Sequence, residues 1–548
     1  MYMRFQKRSV SLLFVCLFLF GSNLVGQNFN QVSKLVPAVQ NGTDAFGVAV
    51  AIDKNTAIIG AHVDSYDQLE KDSLSAAGSV YFYEKIDNIT WVEKQKLTAA
   101  DRGATDFFGK HVDINGDYAI VGSSDEDHNL LGVDSLNNSG SAYVFERGAD
   151  GMWFQKQKLV ASDRAKMQYF GTDVAIYGNY AFIGASGENM NVAGADSLFF
   201  AGAVYVFKRN SSGTWQEVQK LVSSDRVAHQ QFGVGLAAYG NTCIIGANGE
   251  ARDQLGLNPV QNSGAVYVFE QSSGGIWEEK QKVVTSDRGV SDNVGLSLAI
   301  HENTFVIGTA QEDHNANGTD SLSNTGSAYV ITRNAGGAWQ EQQKIVAPDR
   351  ESEDEFGHYV DVDGETVAVG SYHHDYDVNK TNYLSDAGAA YLFELKNNSW
   401  DFAQKIVPND RGNAGWYGAV GISDNTVLVG AQMSPSPIGA GLFTPIGSVY
   451  AYSLPSVSGT VYNDYNKNCI QDSNEPGVKG SLGVVIPENE VIVTDENGTW
   501  YLNQIDTGSH TVIFDTTGHH DHYCNYKVDF SISSNDTAKV LNSFGIAL

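Results

Sequence analysis

Six residues between positions 464 and 475 carry oxygen atoms at the spacing of a calcium-binding loop. Positions 1, 3, 5, 7, 9 and 12 of that loop are, in order, Asp464, Asn466, Asn468, Ile470, Asp472 and Glu475. Calcium is a hard cation that takes about six to eight oxygen ligands, and this set would supply carboxylate, amide and backbone carbonyl oxygens. The segment therefore predicts a calcium site, with Glu475 binding through both carboxylate oxygens. The alternative interpretation is an Asn- and Asp-rich surface turn.

Position 6 of the loop usually holds Gly for its sharp turn, but here it is Cys469. A Cys adopts that backbone conformation only with strain. The other cysteine of this region is Cys524, and export to an oxidising environment would allow a disulfide between the two that holds the loop. Cys243 lies in an apolar strand pattern and is expected to be a buried thiol.

Acidic residues are also concentrated in loops further towards the N-terminus, where long segments hold far more acidic than basic residues. The two densest clusters are Asp125, Glu126 and Asp127 in one loop and Glu312 and Asp313 in another. Acidic runs in loops are usually solvated, although neighbouring histidines leave a metal site open. We expect these loops to form one acidic face that attracts cations or a basic partner.

Three residue types recur along the chain at intervals of about 62 residues, which identifies repeated structural units. An aromatic-Gly or Val-Gly step recurs at Phe46, Phe108, Phe170, Phe232, Val294, Phe356 and Tyr417. In step with it, a Tyr recurs from Tyr81 to Tyr450 and a Trp recurs from Trp91 to Trp400. Each unit contains four strand patterns, which in the second unit are KHVDI, YAIVGS, GSAYVFER and WFQKQKLV. Four antiparallel strands repeated radially predict a β-propeller.

The seventh unit lacks both its Trp and its fourth strand. The segment QVSKLVP at 31–37, ahead of the first unit, matches the fourth strands of the other units. We therefore predict seven blades, with the N-terminal strand completing the last blade and closing the ring.

The FG step, the Gly-Ala step after the second strand and the following GSVY or GAVY segment resemble the FG-GAP repeats of integrin α chains. Examples of the Gly-Ala step are Gly60-Ala61, Gly184-Ala185 and Gly246-Ala247. The resemblance covers roughly residues 30–454 and implies an extracellular seven-bladed propeller. Members of that family often carry an Asp-rich calcium loop between the first two strands, but the turns here read DKN, NGD, YGN, YGN, HEN, DGE and SDN. We therefore expect no cofactor in the blades.

Two of the recurring features are expected to be structural. An Asp-Arg pair follows six of the units, from Asp101-Arg102 to Asp410-Arg411, and would form a turn in which the Arg bridges adjacent blades. The alternative is a ring of charged pairs that binds a ligand. The Trp residues are expected to pack between neighbouring blades rather than to bind sugars.

Residues 455–548 follow a different pattern from the repeats. The segments SGTVYNDYNKNCIQDSNEPGVKG and VIVTDENGTWYLNQIDTGSHTVIF resemble the B-type repeat of serine-aspartate-repeat surface adhesins. That repeat is a Cna-B or prealbumin-like β-sandwich used as a spacer. The repeats and these resemblances imply an all-β chain with a propeller at 27–454 and a C-terminal β-sandwich at 455–548, and we predict a signal peptide at 1–26.

The signal peptide is predicted because Arg4, Lys7 and Arg8 precede an apolar run at 11–20 that is too short to span a bilayer. No later stretch is long and apolar enough to cross a membrane. The formal net charge of −29 disfavours binding to nucleic acid or anionic lipid. We expect a secreted, extracellular or cell-surface protein that is monomeric.

The leading functional hypothesis is an interaction or adhesion protein. Its propeller would bind an extracellular protein or glycan, and its C-terminal module would be a calcium-stabilised spacer. No nucleophile elbow, HExxH motif or isolated carboxylate pair indicates an enzyme. Two alternatives are a structural matrix component without a defined ligand and a polysaccharide-acting enzyme that uses the propeller channel.

Overall fold

The structure is a computed structural model of the 548-residue chain. It describes residues 29–40, 44–87, 89–132, 135–434, 446–454, 456–463, 465, 475–487, 490–494, 498–502, 505, 508–514, 527–532, 538–540 and 544–546. Every regular element in these ranges is a β-strand, so the all-β class is confirmed. In the same ranges, no helix is long and apolar enough to cross a membrane.

Residues 30–453 form four-stranded antiparallel sheets that repeat along the chain, as the blades of a β-propeller do. Their strands are β1 Asn30–Leu35; β2 Val50–Asp53, β3 Thr56–Ala61, β4 Ser79–Lys85, β5 Trp91–Leu97; β6 His111–Asn115, β7 Tyr118–Ser123, β8 Ser141–Arg147, β9 Trp153–Leu159; β10 Phe170–Tyr177, β11 Tyr180–Ala185, β12 Ala203–Arg209, β13 Trp215–Leu221; β14 Leu236–Tyr239, β15 Thr242–Ala247, β16 Ala265–Gln271, β17 Trp277–Val283; β18 Ser297–His301, β19 Thr304–Thr309, β20 Ser327–Arg333, β21 Trp339–Ile345; β22 Phe356–Asp363, β23 Thr366–Ser371, β24 Ala389–Lys396, β25 Ser399–Ile406; and β26 Tyr417–Ser423, β27 Thr426–Ala431, β28 Ser448–Ser453.

Six sheets each use four consecutive strands in chain order, and we call them blade one (β2–β5) to blade six (β22–β25). The last blade combines both ends of this region, in the order β1-β28-β27-β26. Strand β1 pairs antiparallel with β28, with Asn30 opposite Ser453 and Leu35 opposite Val449. The predicted outer strand of the last blade is therefore supplied by the N-terminal segment.

The recurring FG step is the place where one blade docks against the blade before it. Phe108 forms a parallel bridge with Gly78 of blade one, and its buried ring packs edge-on against Tyr143 at a centroid distance of 5.3 Å. Gly109 follows with a φ of +93°, and a Cβ there would lie 2.5 Å from the carbonyl oxygen of Ser79. The left-handed backbone and this close approach together require glycine.

A glutamine on the fourth strand of blades one to six clamps the backbone of the next blade. The Nε2 of Gln157 donates to the carbonyl of Trp215 at 2.8 Å, and the N–H of Trp215 donates to Oε1 of Gln157 at 2.9 Å. Trp215 begins an outer edge strand, so its backbone groups on that side have no neighbouring strand to pair with. The same bidentate contact joins Gln95 to Trp153, Gln157 to Trp215, Gln219 to Trp277, Gln281 to Trp339, Gln343 to Trp400 and Gln404 to Phe29.

The tryptophans held by this clamp pack between blades, as the sequence predicts. Trp153 of blade two stacks on Phe82 of blade one, with ring centroids 4.4 Å apart. Trp277 of blade four packs edge-on against Phe182 of blade three at 4.8 Å. These rings therefore belong to the core between neighbouring sheets.

The junction between the last blade and blade one is built differently, because Ser33 stands where the other blades have the clamping glutamine. The hydroxyl of Tyr83 donates to the carbonyl of Val36 at 2.7 Å across this junction. The N–H of Ala38 donates to Glu93 at 2.8 Å. The hydrogen bond from Tyr83 thus takes the place of the bidentate contact, whereas the one from Ala38 has equivalents at other junctions, such as that from the N–H of Ser162 to Glu217 at 2.9 Å.

The described part of residues 456–546 forms two further four-stranded sheets. Their strands are β29 Ser456–Asn463, β30 Leu482–Ile486, β31 Glu490–Val493, β32 Thr499–Leu502, β33 Gly508–Phe514, β34 Lys527–Ile532, β35 Ala538–Val540 and β36 Phe544–Ile546. One sheet has the order β32-β29-β35, with β36 also paired to β29, and the other has the order β31-β30-β33-β34. Side chains from both sheets, including Val461, Trp500 and Val512, share one apolar core.

Removal of residues 29–37 is expected to abolish cooperative melting. The deletion takes away β1, leaves β28 as an exposed edge and removes the backbone that Gln404 clamps, so aggregation should follow. Differential scanning calorimetry with light scattering measures both effects. The matched control is Gln404→Ala, which keeps β1 and should lower the free energy of unfolding by about 1–3 kcal/mol while melting stays cooperative. A truncated chain that melts like the parent would contradict the role of β1.

Candidate functional site

The loops between the second and third strands of the blades, together with the crossings from one blade to the next, share one face of the propeller. We call it the loop face. Each described loop from blade one to blade six folds back on a side-chain oxygen near its tip. In blade four, Oδ1 of Asp253 accepts the N–H groups of Leu255 and Leu257 at 2.9 and 2.8 Å. The equivalent acceptors are Asp67, Asn129, Asn191, Asn315 and Asp377.

The prediction of a solvated acidic face is wrong for two of its five residues. Glu126 and Glu312 are fully buried, with no side-chain exposure. Each points towards a lysine of its own fourth strand: Glu126 lies 2.9 Å from Nζ of Lys158, and Glu312 lies 2.9 Å from Nζ of Lys344. A buried carboxylate needs a charge partner and hydrogen bonds, and these lysines provide the charge.

The three remaining acidic residues are half-buried and partly committed to the loops. Oδ1 of Asp127 accepts the N–H of Asn138 at 2.7 Å, and Oδ1 of Asp313 accepts the N–H of Asn324 at 2.8 Å. Asp125 accepts the hydroxyl of Ser124 at 2.9 Å. Within the described residues, no three His, Cys, Asp or Glu side chains are grouped so that they could hold a metal ion.

The recurring Asp-Arg pairs join adjacent blades, as predicted. Asp163, after blade two, accepts a hydrogen bond at 2.5 Å from the hydroxyl of Tyr205 in blade three, and lies 2.7 Å from Nζ of Lys220. Burial alone would raise the pKa of Asp163, but the hydrogen bonds from Lys220 and Tyr205 hold it below its usual range. The guanidinium of Arg164 donates to the carbonyl of Asp127 at 2.9 Å, which anchors the base of that loop.

The same arrangement is present at five of the other junctions. The Asp, Tyr and Lys sets are Asp101 with Tyr143 and Lys158, Asp225 with Tyr267 and Lys282, Asp287 with Tyr329 and Lys344, Asp349 with Tyr391 and Lys405, and Asp410 with Tyr450 and Lys34. Burial raises the pKa of each of these tyrosines above its usual range. The hydroxyls are therefore fixed donors of the scaffold.

The first strands of the blades line a central cavity of about 510 Å³ that contains several carboxylates. Oδ2 of Asp113 accepts the N–H of Ile176 in the next blade at 2.7 Å, and Oδ2 of Asp361 accepts the N–H of Ile422 at 2.7 Å. Burial raises the pKa of both carboxyl groups to about 7. Asp173 makes the same contact to Leu236, so these channel acids join blades.

One sector of the loop face is aromatic and exposed, a feature that the sequence analysis missed. Phe199 is 55% exposed and its ring lies 4.4 Å from that of Phe200 and 5.3 Å from that of His229. Tyr169 adds a fourth ring, 6.2 Å from Phe200. We call these four residues the aromatic patch. The exposed side chain of Met167 lies two residues from Tyr169 and extends the apolar character of this sector.

The backbone beneath the aromatic patch is in a conformation that does not suit an aromatic residue. Phe200 has a φ of +54°, in the left-handed region. The equivalent positions in the other blades have the same φ to within a few degrees but carry Ala76, Asn138, Asn262, Asn324 and Asp386. Asn and Asp tolerate this region, whereas a bulky residue there is a strained exception. Strain of this kind concentrates at functional sites.

Most of the calcium ligands predicted from the sequence lie outside the described residues. These are Asp464, Asn466, Asn468, Ile470 and Asp472, and both cysteines of the predicted disulfide, Cys469 and Cys524, lie outside them as well. Glu475 is described: it is 4% exposed, and its Oε1 accepts the N–H of Tyr465 at 2.9 Å. Cys243 is a buried thiol, and burial raises its pKa well above the usual range.

Comparison with known proteins identifies the family. Six segments match the FG-GAP repeat, at residues 29–83, 91–145, 153–207, 215–269, 277–331 and 339–393. They cover more than half of the chain, and the protein belongs to the FG-GAP repeat family. The resemblance stated for these repeats is thereby confirmed, whereas the adhesin-like resemblance of residues 455–548 stays a prediction.

Two individual proteins show similarity over parts of the chain. Integrin alpha-3 of Cricetulus griseus is 26% identical over 164 residues, which are 29% of this chain and 15% of that protein. The chain therefore spans a small part of the length of this relative. A crystal structure of a protein from Lactobacillus plantarum has a TM-score of 0.41 and 14% identity, over 70% of this chain and 88% of that one.

The strain beneath the aromatic patch can be measured. Phe200→Asn places in blade three the residue found at the equivalent positions of blades two, four and five, and should raise the free energy of unfolding by about 1 kcal/mol. The matched control is Asn262→Phe, which puts the aromatic residue at φ +49° in blade four and should lower that free energy by a similar amount. Urea unfolding measures both. If Phe200→Asn destabilises the protein, the aromatic side chain contributes more to packing than the strain costs.

Proposed function

We propose that the protein is an extracellular or cell-surface adhesion protein whose propeller binds its ligand through the aromatic patch on the loop face. The observation that carries this proposal is the placement of the exposed Phe199 and the half-buried, strained Phe200 where the other blades have small or polar residues. Stability alone does not favour this arrangement, so a binding role is its best physical explanation. The similarity of part of the chain to a protein named as an integrin α chain supports an extracellular setting.

The aromatic patch has the composition of an interface centre. Aromatic residues are enriched at binding hot spots because each one buries a large area at a small cost in side-chain entropy. The patch lies on loops whose bases are held by arginines and whose tips are held by side-chain oxygens, so little ordering remains to be done on binding. The ligand is an extracellular protein or glycan, and we propose no catalytic role.

The propeller is proposed to be a closed ring of seven blades. The pairing of β1 with β28 and the parallel bridge between Phe46 and Gly447 support closure, because both join the two ends of the repeat region. Residues 455–548 are proposed to be a β-sandwich spacer of the adhesin B type. Its two sheets and their shared core support that assignment.

A calcium site in this spacer is also proposed. The spacing of the oxygen-bearing residues from 464 to 475 supports it, as does the burial of Glu475 at the end of that segment. A buried carboxylate that lies close in sequence to further acidic residues would be neutralised by a cation. The site would make the module stiffer in the millimolar calcium of an extracellular medium.

The binding proposal is tested with the full chain on a protein and glycan array, followed by affinity measurement for each hit. The variant is Phe199→Ser with Phe200→Asn, which gives blade three the residues of blade five, Ser323 and Asn324. Loss of two hot-spot side chains should weaken binding about tenfold or more. The control is Leu255→Asn, which removes an apolar side chain that is 81% exposed on the next loop and should bind like the parent. Equal binding by the double variant would contradict the proposal.

The calcium proposal is tested by isothermal calorimetry and thermal melting of the full chain with calcium and with chelator. We expect one site with a dissociation constant of about 10⁻⁴–10⁻³ M, and a melting transition that calcium raises. Glu475→Gln should lose the response. Asp529→Asn, which changes an exposed acidic residue of the same region, should keep it. Melting that ignores calcium would remove the site and leave the binding proposal unaffected.

A further inference from the structure

Two blade junctions hold three carboxylates around a single lysine, and blade one also has buried carboxylates, Asp44 and Asp64, at two of the equivalent positions. In blade two, Lys158 lies 2.6 Å from Asp101 and 2.9 Å from Glu126, so its single positive charge faces two carboxylates. A third carboxylate, Asp106, is 5% exposed and belongs to the same cluster. Blade five repeats this arrangement with Asp287, Asp292 and Glu312 around Lys344.

Blades three and four have a different side chain in place of this third carboxylate. Gln168 and Gln230 stand where blades two and five have Asp106 and Asp292. Nε2 of Gln230 donates to Oε2 of Glu250 at 2.6 Å and contacts the hydroxyl of Tyr267 at 2.8 Å. Gln168 makes the same contacts to Glu188 and Tyr205. The buried glutamates of blades three and four, Glu188 and Glu250, therefore each face a hydrogen-bond donor.

In blade six, the carboxylate and its partner occupy exchanged positions. Asp354 is equivalent to Asp106, but the glutamate is replaced by His374, which is fully buried. Oδ2 of Asp354 accepts the N–H of Glu351 at 2.7 Å, and its Oδ1 lies 3.0 Å from Nδ1 of His374. One oxygen of Asp354 thus accepts the backbone N–H of the residue three positions earlier. The other lies next to a ring nitrogen of His374 that can carry a proton.

Asp106 and Asp292 each accept the same backbone hydrogen bond as Asp354. The side chain opposite each of them, however, is a glutamate and not a donor. Oδ2 of Asp106 accepts the N–H of Gly103 at 2.6 Å, and Oδ2 of Asp292 accepts the N–H of Gly289 at 2.5 Å. Two ionised carboxylates facing each other in a buried site repel, and neither can donate. We propose that Asp106 shares one proton with Glu126, and Asp292 one proton with Glu312, and that loss of these protons loosens blades two and five at the loop face.

The electrostatics of both sites support this assignment. Burial, together with the neighbouring carboxylates Glu126 and Asp101, raises the pKa of Asp106 to about 7. Burial, together with Glu312 and Asp287, raises the pKa of Asp292 to about 6. The hydrogen bonds from Gly103 and Gly289 act in the opposite direction. Because the pKa in the folded state lies above that of the unfolded chain, the stabilisation is complete at low pH. It is lost as the pH rises through about 6 to 7.

Other charged groups face the two pairs. In blade two they are Lys158, the hydroxyl of Tyr143 and the half-exposed His128, whose Nδ1 lies 3.3 Å from Glu126. In blade five they are Lys344, Tyr329 and His314, whose Nδ1 lies 3.0 Å from Glu312. Substitution of the two histidines therefore serves as the control for the aspartate variants.

The pairs are coupled to the loop face through the glutamates. Oε1 of Glu126 accepts the N–H of His128 at 2.7 Å, its Oε2 accepts the hydroxyl of Ser141 at 2.6 Å, and its carbonyl accepts the N–H of Gly140 at 2.8 Å. Glu126 thus holds both ends of the loop at 123–139. A second negative charge beside it would push on that loop, while blades three and four would not respond.

The test compares the full-length parent with the double variant Asp106→Gln and Asp292→Gln, which gives blades two and five the residue of blades three and four. The parent's melting temperature should fall from pH 5 to pH 8, and the variant should lose part of that fall, melting like the parent at pH 5 and above it at pH 8. Infrared difference spectra between the two pH values should show protonated-carboxyl bands in the parent that are missing in the variant. After correction for the intrinsic rise of amide exchange with pH, deuterium exchange in loops 123–139 and 310–325 should increase with pH in the parent and not in the variant.

The opposite substitution, from glutamine to aspartate in blade three, provides a second test. Gln168→Asp should install a new pH-dependent junction in blade three with its own carboxyl band, whereas Gln168→Asn, of the same size but without a titratable group, should not. If the double variant keeps the parent's pH slope and carboxyl bands, the proposal is wrong. It is equally wrong if His128→Gln with His314→Gln flattens the slope while the aspartate variants do not, because the protons then sit on the imidazoles.

Discussion

Each blade of this protein is held together by its own strand ladder, and adjacent blades are joined by side-chain contacts in addition to the short backbone bridge at each FG step. The bidentate contact from a glutamine amide to the backbone of the next blade is the central one, because it satisfies edge groups that have no strand to pair with. The Asp, Tyr and Lys sets add a charge-assisted contact beside it.

The same contacts explain why the loops can vary. Arg164 and its equivalents hold the base of each loop through a backbone carbonyl, so the anchoring does not depend on the identity of the loop residues. A blade can therefore change its loop tip without a cost to the ring. Blade three makes the largest change, where Phe199 and Phe200 replace small or polar residues. The cost of an aromatic residue in the left-handed region remains local, because the rigid sheets on both sides fix the conformation.

Much of the fold could be predicted from the sequence because its signals are periodic. Strand β7 occupies Tyr118–Ser123, the residues predicted for it, and β1 is where the unmatched segment QVSKLVP places it. The directions of the loop carboxylates could not be predicted, because a loop has no period that separates Glu126 from its neighbours Asp125 and Asp127. A usable signal was present, however: Glu126, Glu188, Glu250 and Glu312 recur at the repeat interval, which marks them as scaffold. The aromatic patch could have been found in the same way, because Phe199 stands at a position that is polar in the other blades.

The antiparallel pairing of β1 with β28 also determines how the ring bears a mechanical load. Asn30 lies opposite Ser453, so the chain enters the first strand and leaves the last one at neighbouring points. A pull that separates the two ends of the repeat region acts at one end of this strand pair and breaks its hydrogen bonds one after another. A shearing pull, in contrast, would load all of them together. A pull between a ligand on the loop face and the segment after residue 454 enters the ring through β28, the strand that lies between β1 and β27, and leaves β1 out of the direct path of the force.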